Sequence, residues 1–395
     1  MNEKNFSLFP LNLERSNLSI YVHWPFCVSK CPYCDFNSHV RTKLVDQERF
    51  VQAFLLEMTR MRQLSGPRTI TSIFFGGGTP SLMEPKSIGS ILEGIARCWH
   101  VPNLDIEITI EANPSSVELE RFHEYRAAGV NRVSLGVQAL EDEALQFLGR
   151  THSVADSLKA IKLAREVFPR MSFDLIYARP GQTIDGWDLE LRQAISYVVD
   201  HISLYQLTIE VGTRFFNLHK AGKLIMPDEE LSARFYELTQ EITLSHGLPA
   251  YEISNHAQLG AESTHNLTYW RYGDYVGIGP GAHGRISIDT FRIATATEKN
   301  PEHWVSMVES KGHGIIEQEY LSPEEQSDEL LLMGLRLHEG IDINRWQQLS
   351  RRSLNAEREK ELVDLGFIER INSSRLKCTP SGMMILDAVV ADLTR

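Results

Sequence analysis

Three of the chain's five cysteines, Cys27, Cys31 and Cys34, fall in the stretch CVSKCPYCDF. Spacings of four and three residues let loop thiolates converge on one metal centre, and Pro32 discourages a regular helix there. A disulfide would strand the third thiol. Zinc held by three thiolates and a distant fourth ligand stays open, although structural zinc sites more often bring two CxxC-type pairs. A cubane iron–sulfur cluster normally takes four cysteines. Three would leave one iron without a protein ligand, and an open coordination position is a place for chemistry. Plain packing suits Cys98 and Cys378 better, since each sits alone beside apolar residues.

Other chemistry-bearing residues lie downstream. Gly76-Gly77-Gly78-Thr79-Pro80 ends a β-rich run, and its glycines would let a ligand meet main-chain groups. No Gly-Lys-Ser/Thr follows, so this is not a nucleotide phosphate loop. A tight strand-to-helix turn is the simpler alternative. Glu111, Gln138 and Asp174 fall at or near the ends of predicted strands, with Arg150 in the loop region after Gln138. A lone strand-end carboxylate is usually a cap or surface group, but several polar groups over one barrel mouth make a site. In His265-Asn266-Leu267-Thr268-Tyr269-Trp270, a histidine among aromatics is most often structural. It could also ligate iron, with Tyr269 and Trp270 stacked on a flat apolar macrocycle. His256 and His283 are nearby alternatives.

These residues need a scaffold, and the chain supplies a rhythm for one. Short β-rich runs at 18–24, 71–77, 105–112, 132–138, 173–178 and 201–209 alternate with amphipathic stretches. Several runs are almost continuously apolar or β-branched, as expected for parallel strands covered on both faces. Phe50, Phe54 and Met58 mark one helical face, and 115–129 reads as a Ser-capped helix ending in Gly129. The expected fold class is α/β: a partial (β/α)6 barrel, short of the eight units that close a standard barrel. A doubly wound open sheet is the runner-up. Residues 1–18 read as a lead-in, 19–230 as the barrel and 231–320 as a connecting region. In that region HNLTYWRYGDYVGIGPGAHG (265–284) reads as loop plus short strands. Residues 321–395 read as a C-terminal α+β winged-helix-like domain, with a helix capped at Ser322 and a hairpin turning near Asn372–Ser374.

A winged-helix pattern suggests DNA reading, but 40 basic against 52 acidic residues give a formal charge of −12. That balance argues against nucleic acid as a partner. No run of about 18 apolar residues appears, and the N-terminus lacks a signal-peptide core. A cytoplasmic protein with reduced thiols is expected.

Taken in order, YVHWPFCVSKCPYCDFNS, FFGGGTPSLM, IEANPSS, SLGVQ, LGRTH and DLIYARPGQT resemble the oxygen-independent coproporphyrinogen oxidase family of the radical S-adenosylmethionine (SAM) superfamily. Within it the chain most resembles the HemW-type heme chaperones, over about residues 18–390. The resemblance implies a radical-SAM barrel with a 4Fe–4S cluster on Cys27, Cys31 and Cys34, its open iron chelated by SAM. It implies a SAM pocket lined by Tyr21, Tyr33, Gly77, Gly78, Thr79, Glu111, Gln138, Arg150 and Asp174. Asp174 would take ribose hydroxyls, because a carboxylate accepts two hydrogen bonds in fixed geometry. Arg150 would pair with the SAM carboxylate. HNxxYW resembles the heme motif of the chaperones, which implies heme held by His265, Asn266, Tyr269 and Trp270. Reductive cleavage of SAM to methionine and a 5′-deoxyadenosyl radical is the chemistry of such scaffolds.

The resemblance also offers a competing function, SAM-dependent oxidative decarboxylation of coproporphyrinogen III. That branch typically places a fourth cysteine where this chain has Phe36, and carries a longer N-terminal extension. With HNxxYW, both signs favour the chaperone. Its implied partners are heme and heme-receiving proteins, including membrane-bound respiratory enzymes approached from the cytoplasmic side; a homodimer is compatible with the same reading. In DLIYARPGQT, Ala178-Arg179 stands where related sequences often have Gly-Leu, which adds a positive charge near the expected pocket.

Overall fold

The computed structural model of the protein describes residues 17–41, 44–102, 106–288 and 291–394. The expected lead-in, apart from its last two residues, and Asp105 therefore lie outside the described residues. Six strands form at the six β-rich runs: β1 Asn17–Trp24, β2 Thr69–Gly77, β3 Glu107–Ala112, β4 Arg132–Gln138, β5 Arg170–Tyr177 and β6 His201–Gln206. They pair in sequence order and in parallel.

These strands are not apolar on both faces. Leu18, Ile20 and Val22 of β1 alternate with Ser19, Tyr21 and His23, and Ile108 and Ile110 of β3 alternate with Thr109 and Glu111. The pleat sends successive side chains to opposite faces. One face therefore carries the hydrophobic core and the other is polar. Register keeps the residues of this face level: Glu111 opposes Ser134 and Asp174 opposes Ser203, while Tyr21 opposes the aromatic Phe74.

Helices cover the apolar face: α1 Gln47–Ser65, α2 Pro85–Cys98, α3 Phe122–Ala128, α4 Val154–Val167, α5 Ile184–Ile195 and α6 Glu229–Ser245. Helix α1 buries Phe50, Phe54, Met58 and Met61. Each such side chain contributes on the order of 1.5–3 kcal/mol when fully buried. The helix expected over 115–129 is broken into a short turn, Ser116–Leu119, and α3, which ends at left-handed Gly129.

The region beyond 250 is more regular than its sequence suggests. β7 Asn255–Ala257 lies antiparallel on β6. Helix α7, Thr264–Trp270, holds the HNLTYW stretch, which was expected to be loop. β8 Tyr275–Ile278 pairs in parallel with the free edge of β1. β9 His283–Ile288, β10 Phe291–Thr297 and β11 Ile315–Leu321 continue antiparallel, with α8 Pro301–Lys311 between the last two. The result is one open sheet in the order β11-β10-β9-β8-β1-β2-β3-β4-β5-β6-β7. The mixed edges do not close on each other, so the barrel is partial. Val276, Ile286, Trp304 and Val308 belong to the same hydrophobic core as the parallel strands.

A second core forms around Leu331, Trp346, Leu376 and Val389, with Tyr272 reaching into it. It lies between α9 Pro323–Gly334, α10 Ile343–Ser350, α11 Ala356–Asp364, α12 Leu386–Leu393 and a small sheet. That sheet orders β12 Ile341–Asp342, β14 Arg375–Cys378 and β13 Ile368–Asn372, in the order β12-β14-β13. Ser322 and Glu325 form the reciprocal cap at the start of α9. Among the described residues no helix is long and apolar enough to cross a membrane.

Candidate functional site

The cysteine loop leaves the carboxyl end of β1, and main-chain bonds stitch it to the next strand. The Gly78 N–H donates to Trp24 O at 2.7 Å, and the Thr79 N–H donates to Phe26 O at 2.9 Å. All three cysteines are free thiols, partly exposed. Each sulfur has a polar neighbour: Thr79 Oγ1 donates to Cys27 Sγ at 3.5 Å, Arg150 Nη1 donates to Cys31 Sγ at 3.4 Å, and Ser38 Oγ lies 3.8 Å from Cys34 Sγ. Burial raises the pKa of Cys27 and Cys34, and the neighbouring cysteines raise them further. Iron would reverse that by taking the thiolate as a ligand. Among the described residues no three His, Cys, Asp or Glu side chains are gathered tightly enough for a single ion.

Beside the loop, Arg150 Nη2 donates to Gly136 O at 2.9 Å and to Asn113 Oδ1. A Cβ on Gly136 would come 3.0 Å from the Gln138 amide and 3.3 Å from the Arg150 guanidinium, so glycine leaves the space in which they meet. Gln138 sits at φ 74°, where the β4–β5 register slips. A non-glycine residue in that region is strained, and a bulge re-aims its side chain. A Cβ on left-handed Gly149 would lie 2.6 Å from Pro32 Cδ, so LGRTH presses directly on the cysteine loop. Tyr33 packs beside Phe215 and near Arg150, and burial raises its pKa.

The polar face of the sheet encloses a cavity of about 200 Å³ lined by Tyr21, Phe74, Glu111, Asp174, Tyr205 and Asn255, among others. Glu111 accepts the Gly77 N–H at 3.2 Å and forms no ion pair among the described residues. Burial, reinforced by the charge of Asp174, raises its pKa to about 8. Burial also raises Asp174 to about 6, although Ser203, Arg132 and Ser134 oppose the shift. Asn255 Oδ1, on the same wall, is buried without a hydrogen-bond partner. Glu111, held largely neutral by burial, lies beside a second buried carboxylate and an orphaned acceptor, an arrangement that suits a ligand bringing cationic and hydroxyl groups. The sulfonium, ammonium and ribose of SAM are such groups.

Helix α7 forms the cavity floor. Glu107 accepts from Ser263 Oγ at 3.1 Å, Thr264 N at 3.2 Å and His265 N at 3.0 Å, and pairs with Arg170 at 3.2 Å. Its carboxylate therefore holds the helix start inside the barrel. His265 is 1 % exposed. Its Nδ1 lies 2.8 Å from Ser72 Oγ and its Nε2 lies 2.7 Å from Tyr269 OH, and the ring stacks on Phe74 at 5.0 Å. Iron ligation by His265 would require one of those bonds to break. Asn266 faces the same small cavity, with its amide 3.5 Å from Tyr251 OH.

Tyr269 and Trp270 line a second, larger cavity of about 510 Å³, together with Phe36, Tyr275, His283 and Met333. The two cavities share Tyr21, Glu111 and Tyr269, so they are contiguous. Gly77 borders the larger one as well. HNxxYW is thus divided by the helical turn: its histidine faces the interior and its Trp270 the larger space. Gly78, Thr79, Gln138, Arg150 and Tyr33 line neither cavity; Thr79 and Arg150 contact the cysteines instead, and Tyr33 stands within their loop.

Arg179 does not add charge to the pocket. It is 4 % exposed and pairs with Glu190 at 2.6 Å, while Glu190 also accepts the Leu140 N–H at 2.8 Å. The preceding Ala178 sits at φ 56°, a left-handed position that glycine fills without strain. Sequence reasoning missed Asn113, Ser134, Ser203, Tyr205 and Asn255. For the strand residues among them the period-two alternation was the available signal.

Residues 21–192 match the Radical SAM superfamily, and residues 321–385 match the HemN C-terminal domain. The chain is similar to Radical S-adenosyl methionine domain-containing protein 1, mitochondrial, of Bos taurus, at 40% identity over 95% of this chain and 87% of the relative. It is also similar to Heme chaperone HemW of Bacillus subtilis, at 35% identity over 90% of this chain and 94% of the relative. Among solved structures, coproporphyrinogen III oxidase (HemN) from Escherichia coli, a radical SAM enzyme, superposes with a TM-score of 0.80 at 21% identity. That likeness covers 96% of this chain and 91% of the other, and it concerns the fold.

Proposed function

Because the chain belongs to the radical SAM superfamily and, within it, to the family of the HemW heme chaperones, we propose that it binds heme and delivers it to hemoproteins from a 4Fe–4S- and SAM-binding scaffold. The observation that carries the reading is the larger aromatic cavity, contiguous with the small polar one and bordered by Phe36. A planar apolar macrocycle needs such walls.

In this reading Cys27, Cys31 and Cys34 hold the cluster, and SAM lies between it and the small cavity. When bound, the cluster supplies the electron for reductive cleavage of SAM. Arg150 directs a guanidinium at the carboxylate of SAM, Glu111 faces its cationic end, and Asp174 accepts from ribose hydroxyls. Tyr21, Gln138 and the Gly77–Thr79 backbone complete the grip. Tyr269 and Trp270 wall the heme, whereas His265 and Asn266 hold α7 in place. Residues 19–230 form the SAM-binding unit, 231–320 carry the heme wall, and 321–395 close it. Heme passes to acceptor proteins, including respiratory enzymes approached from the cytoplasmic face of their membrane, and no nucleic acid takes part.

The test is anaerobic reconstitution followed by separate incubations with heme and with coproporphyrinogen III, SAM and a reductant. We expect a 4Fe–4S absorption and EPR signature that Cys27→Ala, Cys31→Ala or Cys34→Ala abolishes, with stoichiometric heme retention. Conversion to protoporphyrinogen IX would overturn the chaperone reading in favour of oxidative decarboxylation. Bound zinc without iron would overturn the cluster.

A further inference from the structure

The larger cavity is of ligand-site size: about 510 Å³ falls within the roughly 300–1,000 Å³ of small-molecule sites. Its histidines differ in what they can offer. His23 borders it, but its Nδ1 is 2.9 Å from Tyr21 OH and its Nε2 is 2.9 Å from Asn37 O. His265 is on the floor of the small cavity, with both ring nitrogens engaged. His256 is fully buried and lines neither cavity. His283, at the start of β9, lines the larger cavity and is exposed. Among the described residues nothing hydrogen-bonds its ring.

The surroundings of His283 are built. Asn37 donates to Pro280 O at 2.9 Å and to Lys299 O at 3.0 Å. This clamps the residue after Phe36 to the corner that precedes β9. Phe36, 59 % exposed, therefore stands on the same cavity as His283. Lys299 also lines it and forms no ion pair among the described residues. Its ammonium suits a propionate carboxylate. Burial, with Arg285 and Lys299 nearby, lowers the pKa of His283 despite the opposing charge of Glu317. A neutral imidazole is the form that ligates a metal.

Resting on the heme-binding reading above, we infer that His283, rather than the histidine of HNxxYW, is the protein ligand to the heme iron, with Phe36 and Trp270 as walls and Lys299 on a propionate.

The experiment compares the full-length wild-type chain with His283→Ala, titrated with ferric heme and, separately, with metal-free protoporphyrin IX. His283 is exposed, so the variant should fold, which circular dichroism and thermal melting check. Wild-type protein should show the Soret and EPR signature of imidazole-ligated iron. His283→Ala should lose that signature, recover it on addition of free imidazole, and bind metal-free porphyrin as the wild type does. Its heme affinity should fall by at least the roughly tenfold that even outer-sphere partners of a metal are worth. An unchanged Soret band, EPR spectrum and affinity in His283→Ala would overturn the assignment while leaving heme binding intact. A wild-type chain that takes up no heme would overturn the chaperone reading and this assignment with it.

Discussion

At the scale of single residues, protonation is the most informative handle on the small polar cavity and its proposed ligand, SAM. Glu111, raised to about 8 by burial and by Asp174, is mostly neutral at pH 7 before ligand arrives. A cationic ligand favours its ionised form, so binding should release a proton. SAM affinity should then rise with pH, by up to about tenfold per unit, and level off above pH 8. Calorimetry in buffers of different ionisation enthalpy should detect the released proton, and Glu111→Gln should abolish it. The same shift fixes the sign for ligand-free stability. The folded state holds this proton to higher pH than the unfolded chain, so the contribution is complete at low pH and is lost as pH rises towards 8. Ala178 offers a second residue-level check. Replacing it with glycine removes left-handed strain, and Ala178→Gly should gain about 1 kcal/mol in urea denaturation.

At the scale of elements, the decisive piece is α7. Its sequence looks like loop because seven residues with one histidine, one asparagine and two aromatics make a poor free helix. What forms it is the buried Glu107, which accepts its first amides while paired with Arg170 and close to Arg132. Removing that carboxylate leaves the buried Arg132 without its ion-pair partner and frees the helix start, while Arg170 keeps Asp200. Glu107→Ala should therefore cost about 3–5 kcal/mol, measured by urea unfolding. β8 falls in the stretch read as loop plus short strands, and its four residues find their place by pairing with the open edge of β1. The six parallel strands were legible because each is long, β-branched and bounded by turn residues.

At the scale of the whole molecule, the larger cavity is a joint construction. The cysteine loop supplies Phe36, α7 supplies Trp270, β9 supplies His283 and the C-terminal unit supplies Met333 from α9. Heme should accordingly slow amide hydrogen exchange in two separate places, residues 264–284 and 323–334. Protection confined to the first would remove the C-terminal unit from the site. Ties across the boundary already exist, with Arg271 paired to Glu339 at 2.8 Å and Tyr272 OH donating to Glu329 at 2.6 Å.

The sequence by itself determined the chemistry on offer. Three thiols at close spacing in a loop, a glycine-rich strand end and six β-rich runs are local features, and local features survive in one dimension. The period-two alternation was there as well, though its meaning was not: which face is polar, and that the polar faces curl around one cavity, follow from how the strands pair. Only tertiary structure could separate His265 from His283. Both are histidines near aromatics, yet a partner 193 residues away in sequence, Ser72, occupies one nitrogen of His265, and Tyr269 occupies the other. Among the described residues nothing occupies either ring nitrogen of His283, at the rim of a cavity assembled from four distant segments. A side chain's capacity to ligate depends on what else reaches it, and that is fixed by packing across the sheet rather than by neighbours in the chain.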